Sequence, residues 1–321
     1  MENILEVKDL HTYFYLEEKV SRAVEGVSFT LQKGETLALV GESGCGKTVT
    51  ALSIMGLVPN PPGKIMGGEV NFQGQDLTRL KRQKMRAIRG QEIGMIFQEP
   101  MSALNPLYTI GYQIQEALLA HQNLSRQEAQ QRVVQLLRQV EMPQAEQRYS
   151  DYPHNLSGGL RQRAMIAQGL AGNPKILIAD EPTTALDVTI QAEILQLFAH
   201  LKEKLNMSVL LITHDLGIVA EVADRVCIMY AGKVVEVTDV FTIFEQPKHP
   251  YTQKLLDSRP GRGQARKRLA AIRGTVPDPA DKPSGCAFHP RCDRAIARCQ
   301  DEYPPFLPFD QGHQVSCWKA K

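Results

Sequence analysis

Residues 41–48 read GESGCGKT, and the apolar run Thr36 to Val40 leads straight into them. A strand feeding a glycine-rich loop, with a helix expected from near Gly46 to about Gly56, is the setting in which the Walker A pattern binds phosphate. Gly41, Gly44 and Gly46 let the main chain, including that of Ser43 and Cys45, turn its N–H groups inward around phosphate oxygens. The helix adds its positive end. Lys47 can reach the β- and γ-phosphates of a nucleotide, and the Thr48 hydroxyl can ligate Mg²⁺. Cys45 stands where serine is common, and the backbone does the binding there. Its thiol is left near the nucleotide. Pro59, Pro61, Pro62 and Gly63 end the unit.

Composition sets bounds around this loop. The 321 residues suit one large domain plus an extension. A hydrophobic fraction of 43% supports a substantial core, and a net charge of +2 favours no nucleic-acid partner. No apolar run approaches the roughly 18 residues that span a bilayer. The start, MENILEVKDL, lacks the basic and apolar regions of a signal peptide, so the expected place is the cytosol unless partners hold the chain at a membrane. Of six cysteines, Cys45 and Cys227 lie in the body, while Cys286, Cys292, Cys299 and Cys317 crowd the last 36 residues. In a cytosolic chain that clustering favours metal ligation over disulfides.

Residues 1–40 alternate like β-strands. From about 99 to 172 the period becomes helical, over Ile110 to Gln122, Arg126 to Val140 and a third helix from near Ser157. Ser125 followed by Glu128 is a capping box. Strand patterns resume at Lys175 to Asp180, Ser208 to Thr213 and Arg225 to Tyr230, with helices between. This alternation predicts an α/β fold with a mostly parallel core sheet covered on both faces, an antiparallel β subdomain and a helical insertion. Residues 258–274 are basic among glycines and read as a solvated linker. The tail from 275 is rich in proline and cysteine, lacks periodicity, and needs a staple.

Two further strings complete the pattern. Residues 176–181 read ILIADE: a buried strand ending in Asp180, beside the metal shell, with Glu181 placed to polarise an attacking water. Residues 156–163 read LSGGLRQR. With this string the chain resembles the ATP-binding-cassette (ABC) ATPases over roughly residues 1–250, a phosphate-loop, RecA-like cassette. The resemblance implies that two cassettes close face to face on ATP. It assigns Ser157, Gly158 and Gly159 to the partner's γ-phosphate, with Leu160 where glutamine or methionine is usual. It assigns Gln98 to Mg²⁺ sensing and the membrane subunit, and Ala185, Leu186 and Asp187 to the loop crossing the dimer interface. His214 becomes the switch histidine. An aromatic stacks on adenine, with Phe14 fitting best by spacing from Leu10 and Tyr13 and Tyr15 as alternatives.

Three stretches narrow the resemblance to the ATPase subunits of dipeptide and oligopeptide importers: FQEPMSALNP at 97–106, HPYTQKLL at 249–256, and GCAFHPRCDRAIARC at 285–299 with Cys317 beyond. Residues 251–321 would be the importer-type extension. The resemblance implies a second ATPase subunit, preferably a paralogue, two transmembrane permeases, an extracytoplasmic solute-binding protein, and a peripheral position on the cytoplasmic face of the inner membrane. The tail cysteines are spaced by five, six and seventeen residues, which is neither a zinc knuckle nor a ferredoxin run. Four thiolates can close a zinc site or a [4Fe–4S] cluster, and the resemblance favours the cluster. Related importers of nickel or another small solute share much of this pattern. A soluble ABC ATPase acting on DNA or ribosomes usually has two cassettes or a long coiled coil, and a small-molecule phosphoryl transferase leaves LSGGLRQR unexplained.

Overall fold

The computed structural model of the chain describes residues 2–184, 186–258, 272–310 and 312–320. Contacts group it into two compact units. The first is Met1–Gln32 with Thr36–Arg79 and Thr213–Lys321; the second is Lys33–Glu35 with Leu80–Ile212.

In the first unit, strands Val20–Gln32, Asn3–Tyr15, Gly63–Phe72 and Gln75–Asp76 lie side by side in that order, all antiparallel. Leu5, Val7, Leu10, Val24, Val27, Phe29 and Leu31 are buried, and polar neighbours between them stay wet. That is the pattern of a sheet with one solvated face. The fully buried strand Thr36–Val40 runs parallel to Arg225–Tyr230. A tight turn through Ala231 and Gly232, both at positive φ (47° and 85°), then reverses the chain into Lys233–Asp239. Paired positive-φ residues match the twist of a two-residue hairpin.

The tail joins this same unit. Strand His313–Val315 pairs antiparallel with Lys233–Asp239, and Leu307–Asp310 pairs with His313–Val315. One carboxylate ties these pieces together. Glu236 is fully buried and accepts from the Lys248 N–H (2.6 Å) and the His249 N–H (3.0 Å), and its Oε1 lies 2.8 Å from the His313 Nε2. A buried carboxylate without such partners would cost several kcal/mol. Here it links the sheet, the HPY segment and the tail.

In the second unit, Ile93–Ile96, Ile176–Asp180 and residues 208–212 of strand Ser208–Thr213 run parallel. The last two strands are buried along their whole length, as strands covered on both faces must be. Helices Ile110–Leu119, Arg126–Gln139 and Gly158–Gly169 pack on one another, and Val188–Leu205 packs on the third. Arg126–Gln139 starts with the expected box: the Ser125 Oγ accepts from the Glu128 N–H at 3.3 Å, and the Glu128 Oε2 accepts from the Ser125 N–H at 2.8 Å.

Most expected elements therefore appear within a residue or three. The departures lie at one edge. The strand pairs beyond Arg225–Tyr230 are antiparallel, whereas Thr36–Val40 with Arg225–Tyr230 and the three strands of the second unit are parallel. The tail also supplies two strands where the sequence shows no period. No described helix is long and apolar enough to cross a membrane.

Candidate functional site

The Walker A loop is preformed. Helix Lys47–Ile54 begins after Gly46, which takes φ 103°, and Gly44 takes φ 79°. A side chain at Gly46 would put its Cβ 2.4 Å from the Ala23 carbonyl oxygen. One at Gly41 would meet the Met229 carbonyl oxygen at 2.3 Å. Both positions therefore require glycine on steric grounds, and Gly46 on torsional ones as well. Lys47 is buried, and its ammonium donates to the carbonyls of Gly41 (2.7 Å) and Glu42 (3.1 Å) and approaches the Cys45 Sγ at 3.8 Å. Ser43, Gly44 and Thr48 are exposed. Burial raises the Cys45 thiol pKa, against the opposing pull of Lys47, which keeps the thiol protonated.

The loop is also gripped from the C-terminal part of the chain, which sequence reading missed. The Glu42 N–H donates to the Tyr251 hydroxyl at 2.9 Å. The Glu42 carboxylate receives both ends of the Arg291 guanidinium, NH1 to Oε2 at 2.8 Å and NH2 to Oε1 at 3.1 Å. Arg291 also donates to the Tyr230 hydroxyl (3.3 Å) and to the carbonyls of Arg273 (2.8 Å) and Gly274 (3.3 Å). Burial works against its charge, but Glu42 and Tyr230 outweigh it and hold its pKa above the ordinary value. Tyr251 lies in the HPYTQKLL stretch and Arg291 in GCAFHPRC, so both motifs were visible. Nothing local says that residues 249 positions apart meet.

Phe14 is half-buried, beside Gly63, where an added Cβ would lie 2.8 Å from its ring. Tyr13 contacts His11, and Arg22 sits 6.0 Å over its ring, while Tyr15 is exposed and donates to the Met66 Sδ. His214 follows strand Ser208–Thr213 and is exposed.

In the second unit, Asp180 ends its strand buried. Glu181 follows at φ 45°, a left-handed conformation that costs a non-glycine residue energy and clusters at functional sites. Its N–H donates to the Ile212 carbonyl at 2.8 Å, while its Oε2 accepts from the Gln98 Nε2 (3.0 Å) and the Thr184 Oγ1 (2.9 Å). Glu181 and Gln98, far apart in sequence, thus meet as one pair. Ser157 caps helix Gly158–Gly169 by accepting from the Leu160 N–H. A Cβ at Gly159 would lie 2.7 Å from the Ile190 Cγ2, and one at Gly158 would touch Leu186. The signature turn therefore lies against the start of helix Val188–Leu205, which Asp187 caps through the Ile190 N–H at 3.0 Å. Ala185, and Arg259 to Arg268 of the basic linker, lie outside the described residues.

Cys286, Cys292, Cys299 and Cys317 line one cavity of about 20 Å³, with His249, Phe288 and Trp318. Burial first, and then neighbouring thiols, push Cys286 up to about 11, and Cys292 and Cys317 rise for the same reasons. The donor set is right in kind. The geometry is not: among the described residues no group of three or more His, Cys, Asp or Glu side chains is placed to hold a metal ion. The cavity has room for about one water. The expected metal centre is thus unsupported by the arrangement, in which Cys299 is buried and the other three thiols are partly buried.

The chain matches the family described as "ABC transporter" over residues 24–184, and that described as "Oligopeptide/dipeptide transporter, C-terminal region" over residues 235–299. It is 52% identical over 318 residues to the oligopeptide transport ATP-binding protein AppD of Bacillus subtilis (strain 168), covering 99% of this chain and 97% of that protein. It is 48% identical over 314 residues to the dipeptide transport ATP-binding protein DppD of Escherichia coli (strain K12), covering 98% and 96%. Among solved structures it is similar to a dimeric ATP-binding cassette in a post-hydrolysis state bound to ADP and Pi. There the TM-score is 0.66 and the identity 28%, over 74% of this chain and 98% of that one. A cassette of Clostridium perfringens, cbiO1, gives 0.65 and 26%, over 77% and 92%.

Proposed function

The chain belongs to the ABC transporter ATPases, and from that premise we propose that it is the ATP-hydrolysing subunit of an importer of di- and oligopeptides. One observation carries the peptide reading. Peptide-transport ATP-binding proteins match essentially the whole chain, tail included, whereas the solved cassettes cover about three quarters of it.

The proposed chemistry follows from the residues. The amides of Gly41, Ser43, Gly44, Cys45 and Gly46 and the ammonium of Lys47 hold the phosphates of ATP, and Phe14 stacks on the adenine. Thr48, Gln98 and Asp180 serve Mg²⁺, which when bound neutralises phosphate charge. Glu181, already oriented by Gln98 and Thr184, polarises the attacking water, and His214 senses the γ-phosphate. Ser157, Gly158, Gly159 and Asp187 face a second cassette, preferably a paralogue.

The remaining partners are two permeases, served by an extracytoplasmic solute-binding protein, which hold the chain at the cytoplasmic face of the cell membrane. Exposed Phe97, Met101, Leu107, Tyr108 and Tyr112 support a docking surface around FQEPMSALNP. The four tail cysteines are proposed as ligands of a [4Fe–4S] cluster. Their shared cavity supports this, and binding requires the thiols to open outward from the packing described. The cluster would join tail segments and takes no part in hydrolysis.

The test is uptake. Cells lacking this chain should fail to accumulate labelled di- or oligopeptides, and the wild-type gene should restore uptake while Glu181→Gln does not. Unchanged peptide uptake in the deletion would overturn the proposal.

A further inference from the structure

We propose that Arg291 is a positioning residue for the phosphate loop, through which the cysteine-rich tail sets this subunit's affinity for ATP; this rests on the reading of residues 41–48 as the ATP site. The connection runs through three contacts. Arg291 holds the Glu42 carboxylate with a two-point fork of 2.8 and 3.1 Å. The Tyr251 hydroxyl holds the N–H of the same residue. The Glu42 carbonyl in turn accepts from the Lys47 ammonium at 3.1 Å. Side chain, amide and carbonyl of one loop residue are thus fixed, and the last of them orients the cation that meets phosphate.

The fork itself is rigid. Arg291 is 8% exposed, and its guanidinium donates to three protein carbonyl or hydroxyl oxygens besides the carboxylate. The planar, bidentate pairing fixes orientation as well as charge, which a lysine cannot do. Its backbone is equally anchored: the Arg291 carbonyl accepts from the Lys254 Nζ at 2.8 Å. Phe288, three residues earlier, packs against both Tyr230 and Tyr251, with ring centroids 5.2 and 5.4 Å away. Cys292 is the next residue in the chain and lines the thiol cavity. A loop that must wrap phosphates gains affinity when its bound shape is already built, because less order remains to be imposed. The tail supplies that order from outside the loop.

The experiment is equilibrium binding of MgATP to the purified full-length chain, with a double-mutant cycle. Arg291→Gln and Glu42→Gln should each weaken binding about tenfold, and the double variant should be no weaker than the worse single one. Arg291→Lys should recover part of the loss. Thermal midpoints are followed in parallel, since a merely structural role lowers them and leaves the nucleotide affinity of folded protein intact. Arg291→Gln binding within about twofold of wild type would overturn the proposal. So would two single effects that multiply in the double variant. Should Arg291→Gln not fold, Arg291→Lys carries the same cycle against Glu42→Gln. Lys47→Ala separates the two readings: it must abolish binding that wild type shows, and a wild-type chain that binds no MgATP overturns the loop assignment and this proposal together.

Discussion

Glu181 sits in a backbone conformation that side chains rarely adopt, with two donors on one carboxylate oxygen. Strain of order 1–3 kcal/mol persists only where the surroundings fix it. Here Gln98 and Thr184 hold the carboxylate in place. Glu181→Gln keeps shape and Gln98 nearby but removes the base. We expect ATP binding to persist while turnover in the assembled transporter falls about 100-fold or more, measured as phosphate release. Near-wild-type turnover would remove Glu181 from the role of base. Such candidates stand out in sequence because the proposed chemistry needs neighbours in the chain: glycines, lysine and threonine in one loop, aspartate and glutamate at one strand end. Arg291 was not legible, because its work depends on a partner 249 residues away. Metal ligation is expected from the clustered cysteines and the cluster from the family resemblance; the described side chains do not by themselves form such a site, since spacing in sequence does not fix where thiols point.

Elements were legible where they repeat. Helix Arg126–Gln139 carries its start signal at Ser125 and Glu128, and the strands Ile176–Asp180, Ser208–Thr213 and Arg225–Tyr230 each hold an apolar run of four or five residues. The tail strands gave no signal. His313–Val315 has three residues, and Leu307–Asp310 is exposed throughout and contains Pro308. Neither is long enough for a period of two to show. The tail is held instead by Phe288 packed on Tyr230 and Tyr251 and by Glu236. Protein purified without oxygen should be brown, with iron and sulfide bound. Cys286→Ser should bleach the colour and speed proteolysis after about residue 275, while MgATP still binds. Colourless protein with stoichiometric zinc would replace the cluster with a zinc site. Four freely reactive thiols and no metal would end both.

At the scale of the molecule, His249 couples folding to pH. Burial lowers its pKa from 6.5 to about 4, although Glu236 pulls the other way. The unfolded chain therefore binds the extra proton first, between those two values. Stability from this group is complete above about pH 6.5 and is lost as pH falls towards 4, by about 1.4 kcal/mol per pH unit. Denaturant midpoints should fall accordingly. His249→Asn, which can still accept from the Tyr251 N–H, should flatten that slope, and an unchanged slope would assign it elsewhere. The antiparallel edge built by the tail carries a last consequence. Without residues 307–320, strand Lys233–Asp239 would present a bare row of amides and carbonyls, a template for any extended chain it meets. With the tail in place the outermost strand is short and bears Pro308, which has no N–H to offer. A chain ending at 306 should therefore scatter light and form sheet-rich oligomers where the full chain stays dispersed. The segment that grips the phosphate loop at one end guards against aggregation at the other.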